Sequence, residues 1–242
     1  MPTTEIQFSD LEHLIGVKLP RDLDDLNETL ALIKAEASVP EGHTVRGDVA
    51  LQVELKDTNR PDLWAVEGMA RALRGLMGIE TGLRSYRVHG SSGVTIRVDP
   101  GLLGVRPFIA CAVVRGTKLS DAVIRGLMQL QDRLDQSYGR RRRKTSIGLY
   151  DFDLITPPLT YGLADPHEAS FIPLGFSYEM TLEEMLVKHP KGLEYGHIVK
   201  QHPRWPLLFD SKSKVLSFPP IINSDDLGRI TEDTKNLLVE VT

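Results

Sequence analysis

Residues 106–114, RPFIACAVV, carry an uninterrupted apolar run from Phe108 to Val114. Side chains of a strand alternate between its two faces, so a strand apolar at every position suits a sheet covered on both sides. That reading points to an α/β sheet domain, and the flanking sequence agrees with it. Val94–Val98 is a predicted strand, Ser120–Leu134 a predicted helix and Ser146–Leu149 a further strand. Thr181–Glu184 fits a capping box, in which each side chain bonds an orphan backbone donor of the other residue and a helix begins. Leu207–Phe209 and Val215–Phe218 form a predicted hairpin around Asp210–Lys214, and Leu237–Val241 a last strand.

Residues 1–85 read as a smaller α+β domain. Ser9–Glu12 also has the capping-box spacing, and Gly16 suits a left-handed helix stop. A second helix is expected from Pro20, with Leu23, Leu26, Leu30 and Ile33 on one stripe. Val49, Leu51, Val53 and Leu55 alternate as in a strand buried on one face. A third helix is expected after Pro61, ending near Gly75 or Gly78. The glycine-, serine- and charge-rich stretch Glu80–Ser92 reads as a linker, which divides the chain into residues 1–85 and 86–242. The expected class is α+β overall, with a larger mixed-sheet α/β domain in the second part.

The composition is that of an ordinary globular chain: 242 residues, 41% hydrophobic and 26% charged, with a net charge of −4. No apolar run approaches the roughly 20 residues that span a bilayer. The negative balance argues against a protein that coats nucleic acid through its global field, so RNA contact would need a local patch. Arg140–Lys144, five consecutive cations, is the concentrated positive site; as a bland alternative it is a solvated loop. Cys111 is the single cysteine, set in an apolar run that favours a buried inert thiol. The histidine spacings form no zinc set, and Gly90–Gly93 and Gly101–Gly104 lack the lysine of a phosphate loop.

The last 26 residues, Ser217–Thr242, concentrate the unusual features. Pro219 and Pro220 predict a stiff extended run that delivers Asn223 to a fixed point, although an asparagine there also suits a turn closure. Glu240 stands on the opposite strand face from Val239 and Val241. Gln131 and Asp132 end a predicted helix, where solvated side chains are the usual reading.

Six segments occur in a fixed order: NRPDLWAVEG (59–68), RPFIACAVV (106–114), QLQDRL (129–134), SIGLYDFD (146–153), HPKG (189–192) and FPPIIN with TKNLLVEVT (218–242). Together they resemble the editing region in the β subunit of archaeal and eukaryotic phenylalanyl-tRNA synthetase. The resemblance covers nearly the whole chain and implies an amino-terminal fragment of a longer cytoplasmic subunit. It implies hydrolysis of tyrosine misattached to tRNA(Phe), with Asn223 holding water or the oxyanion. Gln131, Asp132 and either Arg142 or Arg143 would lie near the ester, although glutamate is commoner than aspartate at the position of Asp132. Leu208, Ser217, Glu240 and Thr242 would recognise the tyrosine side chain, and Leu174 and Arg229 the terminal adenosine. A phenylalanyl ester would leave Glu240 and Ser217 unpaired. Partners implied are the tRNA 3′ end and an α subunit in a heterotetramer of two α and two β. ATP and magnesium are implied for the full synthetase alone. A non-catalytic tRNA-binding or subunit-docking module is the alternative, and a free-standing deacylase a third reading.

Overall fold

The computed structural model describes residues 2–45 and 49–242. It divides into two bodies, residues 1–87 with 125–134, and residues 88–124 with 135–242.

In the amino-terminal body, β1 (Thr3–Gln7) and β2 (Ala35–Ser38) flank β3 (Ala50–Leu55) in an antiparallel sheet. The alternation of β3 is as expected: Leu51, Val53 and Leu55 are buried and the residues between them are not. Helix α1 (Phe8–Ile15) ends at Gly16, whose φ of 86° is the left-handed stop. Its start differs from the Ser9–Glu12 box. The helix begins at Phe8 because that side chain is fully buried, and Glu12 serves elsewhere, accepting from Leu19 N at 2.9 Å and pairing with Arg21. Helix α2 (Leu23–Ala31) is capped by Asp22, and α3 (Val66–Leu76) follows a short 3₁₀ turn at Pro61–Trp64. Leu130 and Leu134, in a segment counted with this body, pack against the same core, and Arg133 donates to Trp64 O at 2.9 Å.

The carboxy-terminal body holds β4 (Ile96–Val98), β5 (Ala110–Arg115), the ends of α4 (Asp121–Gln136), β6 (Ile147–Asp151) and β7 (Leu159–Ala164). These are followed by β8 (Ser170–Phe171), β9 (Met180–Thr181), α5 (Leu182–Lys188) and α6 (Pro190–Tyr195). Last come β10 (Trp205–Phe209), β11 (Val215–Phe218), β12 (Ile222–Asn223), α7 (Asp225–Gly228) and β13 (Asn236–Val241). A five-stranded sheet has the order β12-β11-β10-β7-β4, with β4 parallel to β7 and the other pairs antiparallel. A three-stranded antiparallel sheet, β5-β13-β6, supplies Tyr150, Leu238, Cys111 and Val113 to a core that also takes Leu208 and Leu216 from the other sheet. The architecture is thus α+β, with one mixed five-stranded sheet in the second body, as the sequence suggested. No helix among the described residues is long and apolar enough to cross a membrane.

Two local readings are corrected. The apolar run Phe108–Val114 is not covered on both faces: β5 lies at a sheet edge, and Ala110, Ala112 and Val114 are exposed. The segment Phe218–Ile222 is not extended. Pro219-Pro220 is a cis peptide in a turn closed by Ile221 N donating to Phe218 O at 2.7 Å, which folds β12 back onto β11.

Candidate functional site

The β11–β12 turn aligns Ser217 directly with Asn223, and β10 aligns Leu208 with Ser217 on its other side. Residues paired in this way project to the same face of a sheet. Asn223 is half-buried and fixed from three directions. Its Nδ2 donates to Leu149 O at 3.2 Å, its carbonyl accepts from Leu174 N at 2.9 Å, and Gly228 lies so close that a Cβ there would strike the Asn223 side chain. Among the described residues no donor reaches its Oδ1, which leaves that oxygen available to a water or substrate.

A buried polar cluster crosses between the two sheets of this body. Tyr150 Oη lies 2.8 Å from Ser217 Oγ and 2.8 Å from Glu240 Oε2, with all three residues essentially excluded from solvent. A phenol has one proton, so it cannot donate both bonds. With Glu240 ionised, Tyr150 donates to Glu240 and accepts from Ser217. Gly148 makes room for this arrangement, since a Cβ there would strike both Tyr150 Oη and Glu240 Oε2. Glu240 Oε1 is buried and meets no donor with hydrogen-bond geometry among the described residues. Burial pushes the Glu240 carboxyl up to about 7 against the opposing pull of the Tyr150 and Thr242 hydroxyls and of Arg106. Cys111 is partly buried rather than fully so, and that burial pushes its thiol up to about 12.

A second network supports the first. Arg106 donates to Thr242 O at 2.7 Å, to Arg142 O at 3.0 Å and to Ser146 Oγ at 3.3 Å. Ser146 and Thr242 also share a hydroxyl contact of 3.0 Å. Arg142 pairs with Asp135 at 2.9 Å, donates to Pro220 O and Ile221 O, and lies over the Tyr195 ring. It therefore clamps the turn before Asn223. Arg140, Arg141 and Arg142 all take left-handed φ values of 48–61°, a conformation costing roughly 1–2 kcal/mol per residue and sustained here by Arg142 N on Asp135 O and Lys144 N on Gly139 O. The result is a rigid turn that exposes Arg140, Arg141, Arg143 and Lys144.

The carboxy-terminal body thus links Asn223, Leu174, Leu208, Ser217, Glu240, Thr242 and Arg142, with Tyr150 joining Ser217 to Glu240 and Arg106 joining Thr242 to Arg142. Arg143 is exposed on the cationic turn, and Arg229, about half exposed, pairs with Asp225. Gln131 and Asp132 lie on the part of α4 that belongs to the amino-terminal body. Tyr150, Arg106, Asp135 and Gly148 were not singled out from sequence. Gly148 and Tyr150 share strand spacing i, i+2 within a quoted motif, which was the available signal. HPKG has a structural explanation: His189 Nδ1 accepts from Lys191 N at 3.1 Å, and Gly192 abuts Met185 O.

The amino-terminal body has an open cavity of about 770 Å³. Its charged lining is already ion-paired, Lys34 with Asp57, Arg60 and Arg71 with Asp62, and Arg84 with Glu80. Nothing in that lining asks for a ligand.

No family model matches the chain. Curated relatives match over its full length: the phenylalanine–tRNA ligase β subunits of Pyrococcus furiosus, 44% identical, and Thermofilum pendens, 46% identical. The chain spans 42% and 41% of their respective lengths. The crystal structure of an N-terminal fragment of the phenylalanyl-tRNA synthetase β-subunit from Pyrococcus horikoshii superposes with a TM-score of 0.91 at 44% identity, covering 99% of this chain and 67% of that one. The chain belongs to the phenylalanyl-tRNA synthetase β-subunit family. Within that family it corresponds to the N-terminal region.

Proposed function

We propose that the chain edits mischarged tRNA(Phe), hydrolysing the tyrosyl ester and sparing the phenylalanyl ester. The observation that carries this reading is Glu240: a fully buried carboxylate with one oxygen lacking a donor, in contact through Tyr150 with Ser217, the strand partner of Asn223. An unpartnered buried acceptor favours a ligand that brings a hydroxyl over one that does not, because the latter leaves it desolvated and unbonded. Asn223 then supplies an amide beside the ester to position water or steady the oxyanion. The exposed cations of the turn, Arg143 among them, would meet the phosphates near the tRNA 3′ end, and Leu174 and Arg229 the terminal adenosine. The α subunit as partner is part of the same proposal.

The exposed cationic turn also supports a second reading, a tRNA-binding or docking module without chemistry. Release of tyrosine from tyrosyl-tRNA(Phe) by the purified chain decides between them. Asn223→Ala is expected to lower that release by about 10²- to 10³-fold with unchanged circular dichroism. An unaltered rate would remove Asn223 from the mechanism, and the same assay on Gln131→Ala and Asp132→Ala tests their part.

A further inference from the structure

We propose that Tyr150 sets the hydroxyl discrimination of this site, committing the Ser217 proton and one oxygen of Glu240 inside the protein and leaving Glu240 Oε1 as the buried acceptor for a ligand hydroxyl. This deepens the editing reading and rests on it. Proton counting leads there. With Glu240 ionised, Tyr150 spends its one proton on Glu240 Oε2, so the 2.8 Å contact with Ser217 takes the Ser217 proton. The protons of Ser217 and Tyr150 are therefore both committed inside the protein, and Oε1 is the oxygen of Glu240 left without a donor. Tyr150 cannot withdraw to admit a ligand in its place. It is fully buried, its ring belongs to the core between the two sheets, and its hydroxyl rests against Gly148. The site thus presents Oε1 as a buried acceptor without a donor, which a ligand hydroxyl can fill.

Removing the Tyr150 hydroxyl opens Ser217 and Oε2 at once. A water in the vacated space can then satisfy Glu240 without help from a ligand, so the penalty against a phenylalanyl group disappears. The carboxylate also loses a donor that favours its charged form. The groups facing Glu240 are Tyr150 from β6, Cys111 from β5, Thr242 on its own strand's end, and Arg106 and Asp135 from the supporting network. Of these, Tyr150 is the hydroxyl bonded directly to Oε2.

The test measures binding of amide-linked, non-hydrolysable tyrosyl-adenosine and phenylalanyl-adenosine to the 242-residue chain across pH. For wild type, tighter binding of the tyrosyl compound is expected. Tyr150→Phe should reduce the tyrosyl preference by about tenfold or more, the worth of one buried bond to a charged group, and move its pH midpoint upward. A preference and midpoint within about twofold and a few tenths of a pH unit of wild type would overturn the proposal, as would equal binding of both compounds by wild type. Should Tyr150→Phe fail to fold, 3-fluorotyrosine placed at position 150 is a stronger donor of the same shape and should move the midpoint downward; an unmoved midpoint overturns the proposal. Selective binding without tyrosine release from tyrosyl-tRNA(Phe) would remove the editing reading and leave the role of Tyr150 standing. Release with an unchanged Tyr150→Phe preference does the reverse.

Discussion

The two bodies bury different things. Among the described residues the amino-terminal body buries Thr4 and Glu12 as its polar exceptions in an apolar core, whereas the carboxy-terminal body buries Arg106, Asp135, Arg142, Ser146, Ser217 and Glu240, among others. Burying charge costs free energy unless every partner is in place, and replacing such networks by apolar side chains is often neutral or stabilising. The buried charges of the second body are therefore poor candidates for simple stabilisers. Their arrangement around the β11–β12 turn fits a frame that holds Asn223 and Glu240 in one geometry.

The largest expected effect comes from breaking that frame. Arg142→Ala removes the charge paired with Asp135 and the donor to the carbonyls of Pro220 and Ile221, while Ile147 N still donates to Asp135 at 3.2 Å, and should cost about 3–5 kcal/mol in urea unfolding of the carboxy-terminal body. Glu12→Ala is the matching cut in the amino-terminal body. Its partners Arg21 and Lys18 are 44% and 86% exposed, so the expected loss is about 1–2 kcal/mol, chiefly the bond from Leu19 N. Equal losses would mean that the contrast between the bodies has no energetic content.

Next in size is a pH effect confined to the second body. Burial raises the Glu240 carboxyl from 4.5 to about 7, so the folded state binds a proton that the unfolded state releases. The stability this proton contributes is complete below about pH 4.5 and is lost as pH rises through about 7. Glu240→Gln keeps the shape and removes the titration, so the wild-type minus variant stability should fall by on the order of 2 kcal/mol between about pH 5 and pH 8. Urea midpoints at the two pH values check this, and a flat difference would place the Glu240 carboxyl in its ordinary range.

How much of this was legible in the sequence depended on the range of the interactions involved. The Thr181–Glu184 box formed as read because both bonds are made within three residues. The Ser9–Glu12 box failed because full burial of Phe8 sets the start of α1, a tertiary term that outweighs a local cap. In Phe108–Val114 the letters record apolarity but not neighbours, and the run became an edge strand with Phe108 82% exposed. The hinge of the site was the least legible. Tyr150 reaches Ser217 across 67 residues and Glu240 across 90, and Arg106 reaches Thr242 across 136, so no window along the chain contains both partners. The family resemblance brought Ser217, Glu240 and Asn223 forward without the tyrosine that connects them.

The smallest prediction asks where the two bodies should behave alike. Helix caps are local chemistry, indifferent to what the surrounding core buries. Asp22 caps α2 in the first body, accepting from Asp24 N at 2.9 Å; Thr181 caps α5 in the second, accepting from Glu184 N at 3.1 Å. Each substitution by alanine removes one side-chain acceptor and leaves the backbone path intact, and in the second case Glu184 still accepts from Thr181 N at 3.0 Å. Both variants should therefore lose about 1 kcal/mol, read as faster amide exchange confined to α2 or to α5. A loss at Thr181 several times that at Asp22, spreading to the amides of β11 and β12, would mean that α5 is mechanically part of the frame around Asn223, and the boundary between local caps and the buried polar network would have to be redrawn.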